Sequence, residues 1–169
     1  MNELYMIAPD GASLMHHGVK GMKWGVRRYQ NSDGTLTPAG RRRNERYRGK
    51  LAAKAKKKAN IGRENAAEMR GIYKDVKKNG FKSEAWSKQV NERATESMDR
   101  YGIIGGTMDA MLYGSNERNL KTYMKDVHTE QKKWEDYSKK FQKKHEALMN
   151  MKLDDLTTKK DIKSVYKNS

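Results

Sequence analysis

An all-α, elongated protein is what this sequence predicts, and three observations carry the expectation. The only prolines are Pro9 and Pro38, so roughly 130 residues follow without proline, and they are rich in Lys, Glu, Ala and Met. Leu120, Val127, Trp134, Phe141 and Leu148 stand seven residues apart without a miss. Hydrophobic residues make up 35% of the 169 and charged residues 34%, with a mean hydropathy of −1.12. That balance suits an elongated helical chain, or one that needs a partner, better than a large compact core.

Read in order, the chain divides into a loop-rich segment at 1–40, a basic connector at 41–62 and a helical domain at 63–169. The first zone holds both prolines and Gly11, Gly18, Gly21, Gly25, Gly34 and Gly40, a density that argues for turns. Within it Asn31-Ser32-Asp33-Gly34 is a turn signal, Gly34 being free to take positive φ. Residues 41–58 (RRRNERYRGKLAAKAKKK) hold ten Lys/Arg against Glu45 alone. Ala52, Ala53 and Ala55 permit helix there, but like-charge repulsion opposes it, so the run is expected to be mobile until an anion binds.

Beyond residue 62, Ala66, Met69, Tyr73 and Val76 recur at helical spacing and Asn79-Gly80 supplies a stop. Ser83 can cap a second helix with an apolar line through Trp86, Val90, Ala94, Ser97/Met98 and Tyr101. Gly102 and Gly105-Gly106 then break it, with Ile103 and Ile104 expected to be buried in the corner. Met108, Met111 and Leu112 suggest a short third helix ended by Gly114. The seven-residue stripe predicts one long helix over 115–152, about 36 residues and about 54 Å. Its companion positions Tyr123, Glu130, Tyr137, Lys144 and Met151 alternate apolar and charged. Packing against shorter helices of the same chain fits that interruption better than a coiled coil between chains, although an oligomer through this helix stays open. Thr158-Lys159-Lys160-Asp161 resembles a capping box for a terminal helix bearing Ile162, Val165 and Tyr166.

Charge and composition exclude several kinds of chemistry. A net charge of +16 and a pI near 9.9 attract polyanions, nucleic acid most commonly, although an acidic protein or membrane surface satisfies the same physics. The absence of cysteine removes disulfides and thiolate metal sites. The N-terminus lacks the basic region and apolar run of a signal peptide, and no window approaches 18 apolar residues, so no membrane-spanning segment is expected and no membrane is named as a partner. His16-His17 has no third ligand at metal-binding spacing, while His128 and His145 stand apart on the long helix, so no metal site is expected. Gly18, Gly21 and Gly25 match neither a phosphate loop nor a dinucleotide fingerprint, and no cofactor is expected. Glu130, Glu135, Asp136, Asp154 and Asp155 are scattered in a Lys-rich background and suit i,i+4 pairing and solubility rather than a catalytic carboxylate pair. No enzyme is expected.

The strongest physical signal is the basic run. Arg41, Arg42, Arg43, Arg46, Arg48, Lys50, Lys54, Lys56, Lys57 and Lys58 could neutralise several phosphates, with Tyr47 placed to stack. No recognition module surrounds them, so contact would be to backbone and salt-dependent. A solvated basic linker explains the same residues equally well.

The string from His16 through Asn31 (HHGVKGMKWGVRRYQN), followed by Asp33 through Arg41 (DGTLTPAGR), resembles a segment recurring in phage and prophage proteins of Firmicutes that are encoded near portal and capsid genes. Where that pattern commonly has an aromatic after the last basic cluster, this chain has Asn44, with Tyr47 shortly after. The resemblance covers about one fifth of the chain and implies a docking module, with phage head, portal or scaffold protein as partner. Trp24 and Tyr29 would be its buried anchors, and Lys20, Arg27 and Arg28 its electrostatic partners. The implied function is a non-enzymatic phage protein, associated with the virion head or acting in assembly, and located in the virion or the host bacterial cytoplasm. A phage anti-defence protein that inhibits a host nuclease by binding is the alternative, and a non-specific nucleic-acid binder the second.

Overall fold

The computed structural model describes residues 29–169, and they are helical as expected. Four helices follow in order: α1 Pro38–Asn79, α2 Glu84–Gly114, α3 Glu117–Asn150 and α4 Lys159–Asn168, with a 3-10 turn at Gly80–Lys82 between the first two. Among the described residues pairing of extended backbone is confined to a single bridge between Gln30 and Leu36. None of these helices is long and apolar enough to cross a membrane. Lys20, Trp24, Arg27 and Arg28, together with His16, His17, Gly18, Gly21 and Gly25, lie outside the described residues.

The largest departure from the sequence expectation is α1. Its 42 residues run from Pro38, across the basic run, to Asn79, so the connector and the start of the helical region are one helix about 63 Å long. Thr37 caps it by accepting from the Gly40 amide, and Pro38 follows at the position where its missing N–H is harmless. Repulsion within the run is real, but it is outweighed by burial. Ala52, Ala55, Ala59, Gly62 and Ala66 form a line of small residues at helical spacing, all buried. Against this line α3 lies antiparallel. Leu148 packs on Ala52, Phe141 on Ala55 and Ala59, His128 on Tyr73, and Leu120 beside Val76.

At the crossing the backbones nearly touch. A Cβ on Gly62 would come within 2.9 Å of the Ser138 amide nitrogen, and the Ser138 hydroxyl donates to the Ala59 carbonyl at 2.8 Å. The seven-residue stripe is therefore closed within the chain: Leu120, Val127, Phe141 and Leu148 are buried and Trp134 is half-buried. Two long helices share the core where one was expected.

α2 is a hairpin of two helical arms. Asn79-Gly80 ends α1 as expected, with Gly80 at φ 56°. Ser83 then caps α2, its hydroxyl accepting from the Trp86 amide at 3.2 Å. At Gly102 (φ 74°, ψ 177°) the chain reverses, a backbone open to glycine alone. Gly106 then lets the returning arm press on Met98, whose Cγ would lie 2.2 Å from an added Cβ. Trp86 is buried at the base, stacked on Tyr113, with its indole N–H donating to the Gly114 carbonyl at 3.1 Å. Nearer the tip, Asp109 accepts from the Ser97 hydroxyl at 2.7 Å and pairs with Arg93 at 2.9 Å. The expected corner is present, but Ile103 and Ile104 are 77% and 79% exposed. The reversal is so tight that the space inside it is filled by glycine and Met98, which leaves both isoleucines outside.

Residues 151–158 and α4 close the other end. The Thr158–Asp161 capping box forms as expected, and Ile162 is fully buried between Ala52 and Leu148. The scattered acids divide between local and long-range duties. Glu130 and Asp136 pair along α3 with Lys133 and Lys139, whereas Glu135 reaches Arg70 on α1 at 2.8 Å and Asp155 reaches Arg41 at 2.8 Å.

Three glycines of α1 give predictions of opposite sign. Gly49 and Gly71 face open space, so Ala at either should stabilise the chain by about 0.4–1 kcal/mol in urea unfolding. Gly62→Ala should destabilise it, because backbone must move. Asp109 offers a pH test. The Ser97 hydroxyl and then Arg93 hold its carboxyl below the ordinary 3.8, and the hydroxyl of Ser83 followed by the Asn79 amide does the same for Asp75. Stability from such lowered groups is complete above the unfolded value and is lost as pH falls through the folded one. Protection factors across residues 93–109, corrected for the slower intrinsic exchange in acid, should therefore fall on acidification below about pH 4. Asp109→Asn should show fast exchange already at about pH 7.

Candidate polyanion-binding site

The basic run separates into side chains that hold the fold and side chains that face outward. Arg41 pairs with Asp155, half of each side chain remaining in solvent. The Arg48 guanidinium donates to the Met151 carbonyl at 2.7 Å, and Lys58 lies 4.6 Å over the Phe141 ring. These three, with buried Asn44 donating to the Thr157 carbonyl at 2.7 Å, tie the first half of α1 to residues 151–158 and to α3.

The outward set is ordered by the helix itself. Arg42, Arg46, Lys50 and Lys54 follow one another at i,i+4, a ladder of cations rising about 6 Å per step. Arg42, Arg43, Arg46 and Lys50 line a groove of about 490 Å³ together with Tyr29, Ala39, Tyr47 and Lys159. Five cations and two tyrosines thus share one concavity with no carboxylate in its lining. Lys56 and Lys57 are exposed farther along α1.

Each wall has its own support. Tyr29 sits under the Arg43 guanidinium, 4.3 Å from its ring centre, so this residue of the resembling segment packs on the basic helix. The turn behind it forms as expected: Gly34 takes φ 86° and donates its amide to the Asn31 carbonyl at 3.1 Å. Leu36 is buried, and its amide donates to the Asp155 carbonyl at 2.7 Å. On the opposite wall Lys159 lies 5.2 Å from the centre of the Tyr47 ring. It is delivered there by α4.

α4 is held by a side chain that the periodicity alone marks as a flaw in the stripe. Lys144, only 6% exposed, sends its ammonium to the carbonyls of Tyr166 at 2.6 Å and Lys167 at 3.2 Å. Those carbonyls belong to the last turn of α4, where the dipole favours a cation and partners are otherwise lacking. His145 has a comparable duty, its Nδ1 lying 3.1 Å from the Ala52 carbonyl, and the His128 ring packs against Tyr73.

Of the ten cations read from the sequence, the structure gathers Arg42, Arg43, Arg46 and Lys50 at the groove. Lys54, Lys56 and Lys57 stand along the exposed flank of α1, while Arg41, Arg48 and Lys58 are structural. Lys159 and Tyr29 join the groove from outside the run. The capping box around Lys159 was legible, but the fold that brings α4 to α1 depends on Ile162 and Lys144 and has no local signal.

A larger, more open cleft of about 750 Å³ runs between α1 and α2, lined by Asp75, Glu84, Lys88 and Glu92 among others. Asp75 there accepts from the Ser83 hydroxyl at 2.5 Å and the Asn79 amide at 2.6 Å, a capping role that accounts for its lowered pKa. Among the described residues no three His, Asp or Glu side chains converge as metal ligands do.

A family of unknown function, DUF7211, matches residues 10–31, a stretch that ends before α1 begins. No curated protein and no solved structure matches the chain.

Lys144→Met should leave the α1–α3 pair intact while releasing α4. Amide exchange at 159–168 is expected to rise selectively, and binding of a polyanion such as heparin to weaken as Lys159 leaves the groove. Uniform loss of protection across α1 and α3 would show instead that Lys144 supports the whole core.

Proposed function

We propose that the chain is a non-enzymatic bacteriophage protein of the head region, carried in the virion or acting as an assembly accessory, whose basic pole lies against the phosphate backbone of nucleic acid. The observation that carries the nucleic-acid part is the groove of Arg42, Arg43, Arg46, Lys50 and Lys159, open to solvent and without a carboxylate in its lining. Backbone binding needs cations at regular spacing and no base-reading geometry. The i,i+4 ladder on a rigid helix supplies that spacing, and Tyr29 and Tyr47 offer rings at its edge.

The head-region part rests on the resemblance carried by residues 16–41. The described part of the segment reaches the groove, since Tyr29 is one of its walls. A phage head, portal or scaffold surface engaged by Lys20, Trp24, Arg27 and Arg28 would thereby hold the basic pole close to packaged genome.

Fluorescence anisotropy of the full chain with a labelled duplex of about 25 base pairs, repeated across a salt series, tests the first part. Affinity should fall steeply with salt, and Arg42→Ala/Arg46→Ala/Lys50→Ala should flatten the log–log slope by about 0.9 for each phosphate no longer neutralised. A triple variant that binds like the unaltered chain would overturn the groove assignment. Mass spectrometry of purified particles tests the second part, which predicts the chain among virion proteins or in assembly intermediates; absence from both would refute it.

A further inference from the structure

The α2 hairpin differs from the rest of the molecule in charge and in surface. α1 holds fifteen Lys/Arg against four Asp/Glu, whereas α2 holds three against five. Its returning arm, residues 103–114, has Asp109 as its single Lys, Arg, Asp or Glu, and that carboxylate is turned inward onto Arg93 and Ser97. What the arm presents to solvent is apolar. Ile103, Ile104, Met108, Met111 and Leu112 are 60–79% exposed, and Tyr101 at the tip is 71% exposed.

Four of these side chains form a face, and Ile103 and Tyr101 flank it at the reversal. At 3.6 residues per turn, Ile104, Met108, Met111 and Leu112 fall within about 100° of arc, opposite Gly106, Asp109 and Tyr113, which meet the first arm. At on the order of 100 Å² apiece, the six side chains present roughly 600 Å² of apolar surface. That reaches the top of the range for the largest patch on a monomer, about 300–600 Å². It also approaches the contribution of one partner to a standard interface, about 800 Å².

We infer that this face is the contact between two copies of the chain, the hairpin arms packing against each other about a two-fold axis. Three observations select a second copy as the occupant. The face carries no charge, so an isologous contact buries none unpaired. The acidic balance of α2 repels nucleic acid and anionic bilayers, although the chain as a whole is strongly basic. The seven-residue stripe of α3, the other surface suited to helix pairing, is already covered by α1, which moves self-association from the long helix to the hairpin. Asp99 and Arg100, both exposed beside the reversal, supply one charge of each sign at the rim and so suit a self-complementary contact.

Sedimentation equilibrium of the full chain from about 1 to about 100 μM, a span that covers modest interfaces, should show a particle of twice the 19.6 kDa chain mass. Ile104→Glu/Met111→Glu changes only exposed positions, so helical circular dichroism should be retained while dimerisation weakens at least about tenfold. Because the chain has no cysteine, Thr107→Cys places a lone label on an exposed position at the edge of the face. Spin labels there should lie close together across the dimer, whereas labels from Lys50→Cys should be far apart. A monomer throughout the range, a dimer indifferent to the double substitution, or distant labels at 107 would each overturn the inference. So would a monomer that floats with phosphatidylcholine–phosphatidylglycerol vesicles through this face, which would assign the patch to lipid.

Discussion

The close approach of the small-residue line of α1 to the apolar stripe of α3 is the contact on which the rest of the structure depends. Ala52, Ala55, Ala59, Gly62 and Ala66 leave so little side chain that α3 can settle almost onto the α1 backbone. The Ser138 hydroxyl bonding the Ala59 carbonyl marks the crossing. Small side chains bring little apolar area of their own, so the gain comes from the large partners that α3 supplies, Phe141 and Leu148 above all. This arrangement resolves the conflict within residues 41–58. Like charges at i,i+4 oppose helix by a few tenths of a kcal/mol per pair, about 0.2–0.5. Burying one face of the same turns is worth more, and the helix persists with its cations on the other face.

The consequence is electrostatic. A disordered basic run spreads its charge over many conformations, whereas a helix fixed along α3 holds Arg42, Arg46, Lys50 and Lys54 in one line. Anchoring then comes from three sides: Arg48 and Asn44 tie α1 to residues 151–158, Lys144 ties α4 to α3, and Tyr29 lies under Arg43. Such preorganisation removes part of the ordering cost that a flexible polycation meets on binding.

Several elements were legible in the sequence because their signals are local. The Asn31–Gly34 turn, the stop at Asn79-Gly80, the Ser83 cap and the Thr158–Asp161 box each rest on residues a few positions apart. The stripe from Leu120 to Leu148 was legible for the same reason. The extent of α1 was not, because alanine and glycine register weakly as a hydrophobic pattern, and the line Ala52-Ala55-Ala59-Gly62-Ala66 is recognisable as a seam only once α3 lies on it. Ile103 and Ile104 illustrate the reverse failure. Their apolarity implied burial, but the space within a glycine reversal is too small to receive them. The groove was half legible, its α1 cations readable as a run and Lys159 reachable only through tertiary packing.

The molecule is thus built with two unlike parts joined by a helix pair: a basic pole at the start of α1, and an uncharged apolar face on the hairpin that follows α1. That architecture requires α1 to be one continuous helix seated on α3. Residue-resolved hydrogen exchange of the free chain in low salt measures this most directly. Protection at residues 48–59 should approach that at 66–76, since both stretches are held by the same seam. Exchange across 48–59 at the rate of an unstructured chain, with protection confined to the later part of α1, would contradict it.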